Sequence, residues 1–171
     1  MKKNNWVYKV FLCTFILSVI FSFITNFLSS HSNIFIMILI ITIVIAIGII
    51  FDMIGASSLT SKEATFHSMN SKKIKGAKET IKLIKNNAKV SSVCNDIVGD
   101  ICGIISGGLG AVLAISIAKA TGFNTTLISV IIAAIISSLT VGGKAIFKSI
   151  AIKNSDKIIF SVGKFVSIFK K

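Results

Sequence analysis

Four apolar runs, residues 10–28, 34–50, 91–118 and 127–141, alternate along the chain with polar or lysine-bearing stretches. The first, second and fourth carry no charge, and each run approaches or exceeds the roughly 20 residues needed to cross a bilayer as a helix. The second is the most apolar and continues to about Gly55, with Asp52 near its far end. In the polar middle, residues 60–90, Ile74, Ala77, Ile81, Ile84 and Ala88 recur at steps of three and four. That period predicts an amphipathic helix. Lys75, Lys78, Lys82, Lys85 and Lys89 make a second stripe about 100° round from it. From Lys144 onward the pattern repeats, with Ile158, Val162, Phe165, Val166 and Phe169 on one side and Lys157, Lys164 and Lys171 on another. Both stretches read as basic amphipathic helices, lying on a membrane surface or packed beside a bundle.

Lysine counts orient the runs. Residues 1–9 hold three, the middle stretch eight and the region from Lys144 seven, whereas residues 29–33 hold none and 119–126 one. The positive-inside rule then places both termini and the middle loop in the cytoplasm. Trp6 and Tyr8 stand as an interfacial aromatic anchor ahead of the first run. That run is too long for the core of a signal peptide and lacks a small-x-small cleavage site, so it is expected to remain as a membrane helix.

Composition agrees with this picture. The 171 residues are 53% hydrophobic with a mean hydropathy of +0.87, too apolar for an ordinary soluble domain. No proline interrupts the helices. The net charge of +13 comes entirely from lysine. The absence of arginine and the position of the lysines beside apolar runs favour anionic lipid head groups over nucleic acid. Cys13, Cys94 and Cys102 all lie in apolar segments without C-x-x-C spacing and read as small apolar fillers.

Candidate chemistry concentrates between Lys89 and Gly110. Asn95, Asp96 and Asp100 sit inside an apolar run, and Asp96 and Asp100, four apart, share one face of an α-helix. Carboxylates in hydrocarbon are costly and normally serve ions or protons. Gly99, Gly103 and Gly107 make two overlapping G-x-x-x-G spacings, a pattern that lets a second helix approach closely. This packing is expected either within one chain or between copies. His31 and His67 stand in separate contexts. No phosphate loop, nucleophile elbow or H-E-x-x-H pattern occurs, so an enzyme is not expected.

From Ile34 to Ala151 the layout resembles the transmembrane module of the CNNM/CorB/CorC family of magnesium transporters. Phe51-Asp52-Met53-Ile54-Gly55-Ala56 stands where the family has a Phe-Ser-x-x-Glu-like motif. Gly76-Ala77-Lys78 matches its basic juxtamembrane helix and Asn87 its Asn-Pro. Ser106 to Gly110 matches a small-residue stretch, and Gly142-Gly143-Lys144 its Glu-x-x-Pro-Lys ending. The chain departs from the family at Gly55 and Thr140, which replace glutamates, and at Gly143, which replaces the proline. It is also expected to lack the CBS-type regulatory domains and to add a helix at its start. The resemblance implies magnesium as the ion and a homodimer as the assembly.

The expected protein is all-α, a polytopic helical protein of the cytoplasmic membrane with about four transmembrane helices and basic amphipathic juxtamembrane helices. Residues 1–33 form the additional helix and external loop, 34–151 the CorB-like module with its basic loop at 60–90, and 152–171 the basic tail. Its metal ligands are expected to be Asp96, Asp100, Asn95 and Asp52, with Mg2+ bound or transported and no organic cofactor. Magnesium takes oxygen ligands and retains waters, so one or two carboxylates with amide or hydroxyl oxygens suffice. In the alternative reading the protein transports nothing, and Asp96 and Asp100 only fix helix packing in an assembly or regulatory role.

Overall fold

The computed structural model describes residues 2–31 and 33–169, with side chains described for 8, 11–23, 27 and 33–169. Every regular element among them is helical: α1 Lys2–His31, α2 Ile34–Thr60, α3 Glu63–Ser71, α4 Ala77–Lys85, α5 Asn87–Ser91, a π-helical segment Ser92–Val98, α6 Gly99–Thr121, α7 Thr125–Lys153 and α8 Ser155–Phe169. Among the described residues, three stretches are long and apolar enough to cross a membrane: α2, the continuous run Asn87–Thr121, and α7. Within α1 the shorter stretch Phe11–Phe23 is apolar. Trp6, His31 and Lys171, named above, lie outside the described side chains.

The helices run longer than the apolar runs because nothing breaks them. α1 continues through Ser29 and Ser30, which the polar pattern assigns to a loop. α7 passes unbroken through Gly142 and Gly143. True breaks coincide with caps. The side-chain oxygen of Asn124 accepts the Thr126 N–H at 2.9 Å, the role an N-cap residue plays, and that of Asn33 accepts the adjacent Ile34 N–H at 2.8 Å. Gly122, at φ 74°, closes α6 by donating to Ala118 O at 2.8 Å, as a left-handed glycine at a helix end does.

The chain divides into two compact units. The first comprises residues 1–48 and 97–143, in which α1 packs along α6. Two close approaches pin it. Gly48 of α2 faces Cys102 of α6, where an added Cβ would come within 3.1 Å of the Cys102 Cβ. Gly110 of α6 gives the same room to Ile136 of α7. Gly103 and Gly107, by contrast, have no atom within 4 Å of where a Cβ would stand, so their spacing is not used for packing within the described chain. Between α6 and α7 lies a cavity of about 370 Å3 lined by Gly, Ala, Ser, Thr, Ile and Val, with no ionisable side chain.

The second unit comprises residues 49–96 and 144–171 and holds fifteen of the nineteen lysines. Its core is Phe66 of α3, Ile81 and Ile84 of α4, and Ile159 of α8, with Met69, Leu83 and Phe160 packed around them. Each such side chain contributes about 1.5–3 kcal/mol on burial. The α4 stripe is therefore buried at Ala77, Ile81 and Ile84, while Ile74 and Ala88 fall outside the helix and stay exposed. The face of α8 that packs is Ser155, Ile159 and Gly163, one turn apart each. It is not the Ile158–Phe169 stripe. Gly163 lies against Thr80 and Gly76, and Gly76 at φ 91° sits against the Lys164 backbone. Lys73, at φ 52°, helps turn the chain between α3 and α4.

Candidate functional site

The C-terminal part of α2 carries an unusual load of buried polar groups: Asp52, Ser57 and Ser58. Ser58 Oγ donates to Gly55 O at 2.8 Å and Ser57 Oγ to Ala151 O at 3.5 Å, so both hydroxyl hydrogens are committed to backbone carbonyls. Asp52 is only 8% exposed. Its carboxylate makes no hydrogen bond or ion pair among the described residues.

Asn95 meets this segment from the π-helical turn. Its carboxamide fills the space that a side chain on Gly55 would occupy. Its Nδ2 donates to Ser91 Oγ at 3.3 Å, whereas Oδ1 is buried with no donor among the described residues. The Ser61 hydroxyl is likewise buried without a partner. A buried acceptor left unsatisfied costs about 1–3 kcal/mol, and such groups call for a water, an ion or another role. Asp52 and Gly55 are three apart on α2 and share a face. The Asp52 carboxylate thus stands one turn from the point where Asn95 rests. π-turns of this kind concentrate at functional sites because their register shift re-aims side chains.

The other two expected ligands are placed differently. Asp96 and Asp100 are both exposed. The π-helical segment Ser92–Val98 alters the four-residue spacing that puts them on one α-helical face. Their exposure is affordable in the membrane reading, because α6 beyond Asp100 runs to Thr121 and is about 31 Å long. That length alone covers the hydrocarbon core, leaving both carboxylates at its edge. Among the described residues no group of three or more His, Cys, Asp or Glu side chains is placed to hold a metal. The Asp52–Asn95 site therefore offers one carboxylate, one amide oxygen and nearby hydroxyls.

His67 has a local role. Its Nε2 donates to Glu63 Oε1 at 2.8 Å, and Lys85 Nζ of α4 lies 3.5 Å from the same oxygen. The histidine hydrogen bond foremost, and the lysine after it, hold the Glu63 carboxyl below its ordinary value. Ser57, Ser58 and Ser61 were not legible as site residues from their pattern. The only signal was their run of small hydroxyls at the end of the most apolar helix.

Comparison of the chain with protein-family models, with curated proteins and with solved structures returned no match.

Proposed function

We propose that the chain is a multi-pass membrane protein that binds a hydrated divalent cation, magnesium, and passes it across the cytoplasmic membrane. The observation that carries this reading is the buried Asn95 Oδ1 without a donor, set one helical turn from the buried, unpaired Asp52. Two acceptors without donors suit a cation. Magnesium keeps several waters and asks for only one or two carboxylates, which fits a site with one carboxylate and an amide. In this reading Asp96 and Asp100, exposed at the edge of the hydrocarbon, gather cations from solution. Residues 34–151 act as the CorB-like module, and α1 is a fourth span that puts both termini on the lysine-rich, cytoplasmic side. Gly103 and Gly107, with nothing packed on them, support contact with a second copy.

Uptake of Mg2+ into proteoliposomes tests the proposal. Asp52→Asn and Asn95→Ala should each lower uptake by roughly tenfold or more, as loss of metal contacts does. Asp96→Asn and Asp100→Asn should lower it less and chiefly at low cation concentration. Absence of uptake by the unaltered protein sinks the transport reading. The second reading, a non-transporting assembly protein, is favoured by the free glycine face of α6. It predicts crosslinked dimers and no ion flux.

A further inference from the structure

We propose that the outer arc of α8 beds into the anionic head-group layer of a bilayer. α8 has two apolar sides, and the fold uses one. Ser155, Ile159 and Gly163 close onto α4. Phe165 and Phe169, one turn apart, lie roughly 100° round the helix from that face. They remain 62% and 77% exposed, with Ile168 at 65% beside them. The two rings stack edge to face at 5.1 Å, which makes them one apolar surface rather than two scattered residues.

Charge identifies the occupant. Beyond Ile168 the exposed arc continues into Lys157 and Lys164, and Lys164 Nζ is held 4.7 Å over the Phe160 ring. The preceding part of α7 adds Lys144, Lys148 and Lys153, interleaved with the exposed Ile146, Phe147 and Ile150. The one acid on α8, Asp156, accepts the Lys62 N–H at 3.3 Å and belongs to the first turn, away from the aromatic flank. Aromatic and aliphatic groups flanked by lysine, without opposing acid, match an interface of acyl chains and anionic phosphates. Long lysine stems lie along apolar surface while their ammonium groups reach the phosphates.

The test uses the full chain with its native tryptophan removed, Trp6→Phe, and a single reporter introduced by Phe165→Trp. The protein is reconstituted in phosphatidylcholine vesicles, and in vesicles with part of that lipid replaced by phosphatidylglycerol. Each set is prepared with and without brominated acyl chains. Bromine should quench the reporter strongly in anionic vesicles and weakly in neutral ones. Each lysine near an anionic surface shifts the docked population roughly fivefold, so Lys157→Gln with Lys164→Gln should lower it about 30-fold. A reporter open to aqueous acrylamide and untouched by bromine in both vesicles overturns the proposal. So does quenching of equal strength in neutral and anionic vesicles. If Phe165→Trp disturbs folding, Phe169→Trp reports on the same surface. Cation binding plays no part in the measurement, so its failure leaves the outcome readable.

Discussion

Replacing Gly163 by alanine asks whether α4 and α8 are joined by glycine's missing side chain. The added Cβ would fall onto Thr80 Oγ1 and would lie 2.9 Å from Gly76 O and 3.0 Å from Thr80 N. The last two are backbone atoms at the start of α4. Thr80 is itself fixed by its hydroxyl, which donates to Gly76 O at 2.8 Å. No rotamer change relieves that contact, so the helices must separate. Overpacking of this kind costs about 1–3 kcal/mol, against which alanine's better helix propensity returns up to about 1 kcal/mol. Gly142→Ala, inside α7, supplies the control, because nothing lies within 4 Å of its new methyl group and only the propensity gain remains. The two variants should therefore differ by about 1–3 kcal/mol, or roughly 2–12 °C in Tm for a chain of this size. Thermal unfolding in a mild detergent, followed by far-UV circular dichroism, reads that difference. A Gly163→Ala protein as stable as Gly142→Ala would show that the seam has slack and refute the argument. Adding Thr80→Ala to Gly163→Ala should recover part of the loss and not all, since the backbone contacts stay.

Three further outcomes follow from the same geometry. Saturation with Mg2+ at about 100 times Kd should stabilise the unaltered protein by about 2.7 kcal/mol, and Asn95→Ala should lose most of that shift while being near neutral in chelator. Equal shifts in both proteins would remove Asn95 from the site. Phe66→Ala, which empties the centre of the α3–α4–α8 core, should cost about 3–5 kcal/mol, measured as a lower unfolding midpoint. Because Glu63 is held below its ordinary value of 4.5 by His67 and Lys85, its contribution is complete above that pH. It is lost as pH falls through the lower folded value. Glu63→Gln should flatten a small decline in Tm below about pH 4.5, small because the pair is solvent-exposed.

The helical class and the apolar stretches were legible in the sequence because period and hydropathy are local. So was the buried side of α4 at Ala77, Ile81 and Ile84. What the pattern could not supply was which faces meet. α8 shows its strongest apolar stripe at Ile158, Val162 and Phe165, yet it packs through Ser155, Ile159 and Gly163, because only there can its backbone reach α4. Phe66 was invisible as a core residue, since α3 offers a single phenylalanine among polar neighbours. Asn95 and Asp52 could be named as candidate ligands from their polarity alone. The approach of Asn95 to Gly55, one turn from Asp52, depends on two helices far apart in sequence and on a π-turn that no residue pattern announces. Asp96 and Asp100 illustrate the opposite limit, where four-residue spacing was clear but the helix over which it was drawn is not a regular α-helix.

The seam between α4 and α8 also dictates an order of events during synthesis. α4 ends at Lys85 and α8 begins at Ser155, so the ribosome makes α6 and α7 before α4 receives its partner. Through that interval Ile81, Ile84 and Phe66 lack the ring of side chains that later covers them. A nascent chain stalled before Ser155 therefore carries an unshielded apolar surface, the kind of patch that chaperones hold and proteases find. Synthesis of α8 is the step that covers this surface.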